Sequence, residues 1–156
     1  MTLTLYRPAL EELSYRAALI GDESTMSYNA KWGGSIPFPR ERWAAWYEKW
    51  LLAPETLRFY RYLYDADSRL FVGEAAYYFD EAQGVHLVSI IVEAQHRRKG
   101  YGALALRLLC GEAKKRGIEV LADDIALDNP SLSLFLREGF REQRRNETCV
   151  FVEKKL

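Results

Sequence analysis

Thiols are scarce in this chain: Cys110 and Cys149 are the only cysteines in 156 residues. Two thiols far apart cannot build the disulfide framework of a small secreted domain, and both are expected as buried, reduced side chains. Histidine is as rare, and His86 and His96 stand without a nearby Cys pair, so no metal-binding spacing is present and no metal is expected. Long hydrophobic runs are missing too. Nothing approaches the roughly 20 apolar residues that span a bilayer, and the start of the sequence lacks a basic segment followed by an apolar one. An excess of one charge is also absent, since 22 Lys and Arg balance 22 Asp and Glu. Wholesale attraction to nucleic acid or to an anionic membrane is therefore not built in. No repeat or interdomain linker interrupts the chain, and its length suits one core. The expectation is a single domain over 1–156, placed in the cytoplasm, with neither nucleic acid nor membrane as partner.

The most informative stretch runs from Val85 to Gly117. Val85 to Val92 is an apolar run with the character of a strand. A short polar link, Glu93 to His96, leads to Arg97-Arg98-Lys99-Gly100-Tyr101-Gly102, and Ala103 to Arg116 has the pattern of a helix. A glycine-bearing turn at a helix start leaves backbone N–H groups unpaired where the helix dipole is positive. A phosphate fits there. Arg97, Arg98 and Lys99 add cations to the same turn, and Gly100 and Gly102 remove Cβ atoms that would hold a ligand off the backbone. The turn reads as a site for a phosphorylated cofactor.

The rest of the chain can be placed around it. Leu3-Thr4-Leu5 alternates like a strand, and Leu10 to Ile20 carries a helical stripe stopped by Gly21. Asp22 to Pro39 lacks clean periodicity. A loop this long is usually functional or disordered, and its aromatic content argues against disorder. Pro39 opens a helix to about Leu52, with Trp43, Trp46, Tyr47 and Trp50 on one face. That face is expected to pack on the core, its edge bordering a substrate pocket. Arg58 to Tyr64 puts Tyr60, Tyr62 and Tyr64 on one side and Phe59, Arg61 and Leu63 on the other. With Leu70 to Phe79 and Val85 to Val92 it makes an antiparallel meander. Gly117 caps the central helix, and Val120 to Leu127 is a strand expected to lie parallel to 85–92. Asp128-Asn129-Pro130 breaks it, Ser131 to Glu138 is a short helix closed by Gly139, and Thr148 to Glu153 is the last strand. An exposed edge on that last strand would support a dimer, so monomer and homodimer both stay open.

Alone, R-x-x-G-x-G is a weak signal, and Gly100 to Ala105 also satisfies the dinucleotide fingerprint G-x-G-x-x-A. Against an oxidoreductase, seven residues separate Val92 from Gly100, and only one clear strand–helix crossover exists. The wider context, Val92 followed by Arg97-x-x-Gly100-x-Gly102 and then Asp128 to Phe140, resembles the GNAT superfamily of acyl-CoA-dependent N-acetyltransferases. The resemblance is tightest from Val72 to Phe140. It implies an α+β fold: a mixed, mostly antiparallel sheet with one parallel, splayed strand pair, flanked by about four helices. It implies transfer of an acetyl group from acetyl-CoA to the amine of a small molecule or peptide. By the same resemblance Arg97, Arg98, Lys99, Gly100, Tyr101, Gly102 and Ala103 would hold the CoA pyrophosphate, largely through backbone amides. Ile90, Ile91 and Val92 would pair with the pantetheine arm, Asn129 would contact the cofactor near the splay, and Ser131 and Phe135 would lie near the thiol.

An amine attacking a thioester directly needs no covalent enzyme intermediate. A backbone N–H near Ile91 can stabilise the oxyanion, and a carboxylate can take the ammonium proton. Glu74, Asp123 and Asp124 are the candidate bases, and Asp123 and Asp124, being adjacent in a strand, point opposite ways. Many members of the superfamily carry a tyrosine at Phe135 that protonates the thiolate. Here Tyr101, Tyr77, Tyr78 or solvent would substitute, or the thiolate leaves unprotonated. The acceptor pocket is expected from Tyr28, Asn29, Trp32, Trp43 and Glu74, with aromatic faces suited to a cationic amine. The rival reading is a non-catalytic CoA-binding or sensing module, with Phe135 as the mark of lost chemistry.

Overall fold

The structure, a computed structural model, describes the backbone of residues 1–156 and every side chain except those of Lys31 and Trp32. Apolar alternation fixes the strands. In β2 (Arg58–Asp65) the odd-numbered Phe59 and Leu63 join one core, while Tyr60 and Tyr62 join another on the opposite face. The chain supplies β1 (Leu3–Tyr6), α1 (Leu13–Gly21), α2 (Trp43–Leu51), β2, β3 (Leu70–Asp80) and β4 (Val85–Val92). Then follow α3 (Tyr101–Lys115), β5 (Val120–Ala126), α4 (Ser131–Arg137), β6 (Arg141–Arg145) and β7 (Cys149–Lys155). One mixed sheet results, in the order β1-β2-β3-β4-β5-β7-β6. Every neighbouring pair is antiparallel except β4 and β5. That pair is parallel because α3 carries the chain across the sheet between them.

Each face of the sheet buries its own layer. α3 lays Ala105, Leu106, Leu109 and Ala113 on Val72, Ala75, Val88, Leu121 and Ile125. On the other face α1 and α2 cover Tyr60, Tyr62 and Ala76 with Tyr15, Trp46, Tyr47 and Trp50. The aromatic stripe of α2 therefore packs on β2, as its spacing suggests, with Trp46 edge-on to Tyr60 at 4.8 Å between ring centroids.

The opening that matters lies between β4 and β5. Only two residue pairs are in register, His86 with Leu121 and Leu87 with Ala122. Beyond them each strand is held by its other neighbour: β4 stays with β3 as far as Gly73 opposite Val92, and β5 stays with β7 as far as Ala126 opposite Cys149. The gap is therefore fixed by the flanking ladders. Gly73 makes this possible, because a Cβ there would run into the Ile91 carbonyl oxygen, with Val92 Cα at 3.0 Å.

Three elements depart from the sequence expectation. The loop from Asp22 to Pro39 contains a 3-10 turn, Thr25–Trp32. Strand β6 was not foreseen. Its five residues are all exposed, so no apolar alternation announces it. Because β6 pairs with β7, the last strand is interior and cannot offer the free edge expected of it. The sheet edges are β1 and β6.

Candidate active site

A cleft of about 770 Å³ follows the gap between β4 and β5 and runs to the start of α3. At its head, Arg98 and Gly100 both adopt left-handed backbone conformations, φ 62° and 89°. These two bends peel the chain away from β4 before α3 begins. The first recorded bond into the helix is Leu104 N–H to the Gly100 carbonyl, 3.3 Å. Among the described residues none accepts a hydrogen bond from the amides of Arg98, Lys99, Gly100, Tyr101, Gly102 or Ala103. Six donors at the positive end of a 15-residue helix make an anion site. Gly102 has a second duty: a Cβ there would meet Leu134 Cδ2 of α4 at 3.0 Å.

The cations of the turn separate. Arg98 and Lys99 are exposed. Arg97 lines the cleft too, but spends three of its N–H groups on main-chain carbonyls. Its Nε donates to the Val92 carbonyl at 3.1 Å and its Nη1 to Ser24 at 3.4 Å. Its Nη2 donates to the Thr25 carbonyl, and the guanidinium covers the Tyr28 ring at 4.5 Å. Thr25 adds a parallel tie, its Oγ1 accepting from the Ala94 amide at 3.0 Å and donating to Asp22 at 2.5 Å. The aromatic loop is thus fastened to the end of β4. Tyr28 and Asn29 line the cleft there, with Asn29 Nδ2 donating to the Gly34 carbonyl at 3.1 Å. Thr25, Met26 and His96 line it as well. Sequence reasoning missed them, since nothing in their spacing marks them.

The walls are β4 on one side and the start of α4 on the other. Ile90, Ile91 and Val92 line the first. Glu93 N–H bonds the Val72 carbonyl, so by antiparallel alternation Ile91 also turns its backbone to β3, while Ile90 and Val92 turn theirs to the gap. On the other wall, Asn129 Oδ1 accepts from the Ser131 amide at 2.9 Å and starts α4. Ser131 and Phe135 follow it along the cleft, Phe135 set against Phe140 at 5.0 Å.

The structure sorts the candidate acids and bases. Glu74 is buried under α1 and α2 and does not line the cleft. Tyr60 donates to it, and Arg16 Nη1 lies 3.5 Å away. That guanidinium is boxed by Trp46 at 4.4 Å and Phe38 at 5.0 Å, and its Nε and Nη1 have no hydrogen-bond partner. Trp43 is also away from the cleft, its Nε1 donating to the Phe38 carbonyl at 3.1 Å. The Trp32 side chain lies outside the described residues. Tyr101 reaches the cleft, but its hydroxyl donates to Asp65 at 2.6 Å, which pushes the phenol up to about 12 and holds the Asp65 carboxyl below its ordinary range. Tyr77 donates to the Glu55 carbonyl at 2.7 Å. Tyr78 is half-buried on the cleft, and no described residue bonds its hydroxyl. Asp124 is exposed there, accepting from Gln83 Nε2 at 3.0 Å. Asp123, half-buried, lines the same cleft from the α3 face of β5, and desolvation pushes its carboxyl well above the usual range.

The splayed parallel pair and the helix-start anion site define a class of acyl-group transferases. The profile of the acetyltransferase (GNAT) family matches residues 22–140, and the chain belongs to that family of N-acetyltransferases. Solved structures share the whole fold. A spermidine N-acetyltransferase from Vibrio cholerae, in complex with CoA and spermine, is 17% identical with a TM-score of 0.79, covering 98% of this chain and 95% of its own. A phosphinothricin acetyltransferase from Sinorhizobium meliloti, in complex with AcCoA, is 18% identical with a TM-score of 0.78, covering 100% and 89%. No curated protein sequence matches.

Proposed function

We propose that the chain carries the acetyl group of acetyl-CoA to the amine of a small molecule or peptide, with Asp124 as the base on the acceptor side. One observation carries this reading: β4 leaves β5 after Leu87 and Ala122, beside a helix start with six unpartnered amides. The donor set fits a diphosphate on a thioester arm. The amides of 98–103 would hold the diphosphate, helped by the exposed Arg98 and Lys99. The gap-facing backbone of Ile90 and Val92 would meet the arm, with Asn129 and Ser131 on the far wall. Bound there, acetyl-CoA supplies an acyl carbon already activated by sulfur. The amides of Ile90 and Val92 are then the donors available to a developing oxyanion.

On the acceptor side, Asp124 shares its face with Leu87, Ala122 and Phe151, and Tyr78 packs against that cluster. Tyr28 and Asn29 line the same cleft. A carboxylate beside aromatic rings favours an ammonium ion arriving to be deprotonated. Glu74 is better explained as the counter-ion of Arg16 than as the base. Spermidine and phosphinothricin, named for the two solved relatives, are small amines and belong in the first screen. A cytoplasmic place suits acetyl-CoA chemistry, and no described helix is long and apolar enough to cross a membrane.

The test is a panel of polyamines, amino acids, aminoglycosides and peptide N-termini with acetyl-CoA, read by thiol release, beside thermal shifts with CoA and with NAD. Stabilisation by CoA and amine-dependent thiol release are expected. Absence of both overturns the reading, and stabilisation without turnover on any amine favours a sensor.

A further inference from the structure

We propose that Asp123 delivers a proton to the thiolate that leaves the acetyl group, on the opposite side of the sheet from Asp124. The proposal rests on the acetyl-transfer reading above and adds the missing acid to it. Leu121, Asp123 and Ile125 share one face of β5. The two outer residues are buried in the α3-side core, at 0% and 2% exposure, so an aspartate stands in the middle of an apolar stripe. It is also the first residue of β5 past the last pair with β4, at the vertex of the gap. The Asp124 amide and carboxylate and the Tyr78 phenol are its polar neighbours, and among the described residues no cation pairs with it. Asp123 is half-buried, on the wall of the cleft. A carboxyl without a cation beside apolar neighbours favours its protonated form, and desolvation there raises its proton affinity. An apolar residue would pack better here, so the carboxyl needs a functional reason.

The chemistry of the wall supplies one. Phe135 has no proton to give. The other titratable groups on the cleft are Tyr28, Tyr78, His96, Tyr101 and Asp124, with Arg97, Arg98 and Arg137 as fixed cations. Tyr101 is committed to Asp65, Tyr78 and Asp124 face the acceptor side, Tyr28 lies under Arg97, and His96 sits beside Glu93 at 3.9 Å, beyond the end of β4. Asp123 is the carboxyl left on the α3 and α4 side. In the step, the amine nitrogen bonds the acyl carbon, the C–S bond breaks with its electron pair going to sulfur, and the Asp123 proton moves to that sulfur. Of the two protons the acceptor ammonium loses, Asp124 passes one to solvent, and the other restores Asp123 through the cleft. Two adjacent carboxyls whose environments differ thus take opposite roles.

The experiment uses the full chain, the best amine from the panel, and the variants Asp123→Asn, Asp123→Leu and Tyr78→Phe. For Asp123→Asn, kcat should fall by about 100-fold or more, the lower range for a lost proton-transfer group. CoA affinity should stay within about twofold, and the alkaline limb of the kcat–pH profile, where an acid must still hold its proton, should disappear. Asp123→Leu should lose kcat equally while melting no lower than the native chain, which excludes unfolding as the cause. Retained kcat and alkaline limb in Asp123→Asn overturn the proposal, as does a loss of CoA affinity matching the loss of kcat, or the limb vanishing in Tyr78→Phe instead. An inactive native chain would strike the acetyl-transfer reading itself.

Discussion

Arg97 is the residue whose place differs most from its motif, and replacing it separates two accounts of the turn. In Arg97→Met the stem is kept and the fork is lost. Two well-formed bonds disappear, Nε to Val92 at 3.1 Å and Nη2 to Thr25, with a weaker third to Ser24 at 3.4 Å. Bonds from a charged donor contribute about 1.5–3 kcal/mol each, and a guanidinium over an exposed ring about 0.5–1 kcal/mol. The gross loss is then about 4–7 kcal/mol. The carbonyls left behind lie near solvent, and water recovers part of it. The loop also keeps the Ala94 to Thr25 bond and the Ile36 to Ile20 bond at 2.7 Å. A net loosening of about 2–3 kcal/mol remains, roughly 30- to 150-fold in the docked fraction. Acceptor KM should rise by at least about tenfold. CoA affinity by calorimetry should change by less than about threefold, because the six amide donors of 98–103 are untouched. Arg97→Lys should recover only part, since one ammonium cannot serve three carbonyls as a fork does. If CoA affinity fell as far as acceptor affinity, the guanidinium would belong to the pyrophosphate site, and the latch would be refuted.

Two further substitutions probe the frame of the site. Gly73→Ala forces β4 away from β3 at Ile91; at about 3 kcal/mol for such overpacking, the midpoint should drop by roughly 6–12 °C, and CoA should bind more weakly. Gly111→Ala, in α3 with nothing within 4 Å, is the control and should melt slightly higher. For Tyr101, the folded phenol holds its proton to about 12, above the ordinary value near 10. The unfolded chain therefore loses that proton first as pH rises, and stability that is full below about pH 10 drains away toward pH 12. Tyr101→Phe should flatten this alkaline decline in chemical denaturation while leaving kcat near the native value; a large kcat loss would return the hydroxyl to the chemistry.

Patterns of burial carried the legible part of this protein. Alternation in β2 and the three- and four-residue spacing in α2 are visible because each apolar position answers to one core. The glycine turn is visible because its backbone geometry tolerates little else. Strand β6 is the counter-case: Arg141-Glu142-Gln143-Arg144-Arg145 pairs its backbone with β7 while every side chain stays in solvent. Such a strand leaves no trace in hydrophobicity. The side-chain roles of charged residues were harder to read, and for one reason. Glu74 sits mid-strand among apolar neighbours and looks like a catalytic acid, but its partner Arg16 comes from α1, far away in sequence. Arg97, Arg98 and Lys99 are three like cations in a row, and only the path of the 22–28 loop distinguishes the one that ties the chain together.

The same rule bears on Asp123 and Asp124. Alternation alone sends one carboxyl to each face, but it does not say which face holds water. Leu121 and Ile125 decide that, since both are sealed under α3. The aspartate between them is then the anomaly, and its neighbour Asp124 is the carboxylate that faces solvent. A carboxyl in a strand is thus informative only with its partners: the buried Glu74 has a cation and is accounted for, whereas the half-buried Asp123 has none among the described residues and opens on the cleft. By that reasoning the unpaired carboxyl, rather than the paired one, is where chemistry should be sought.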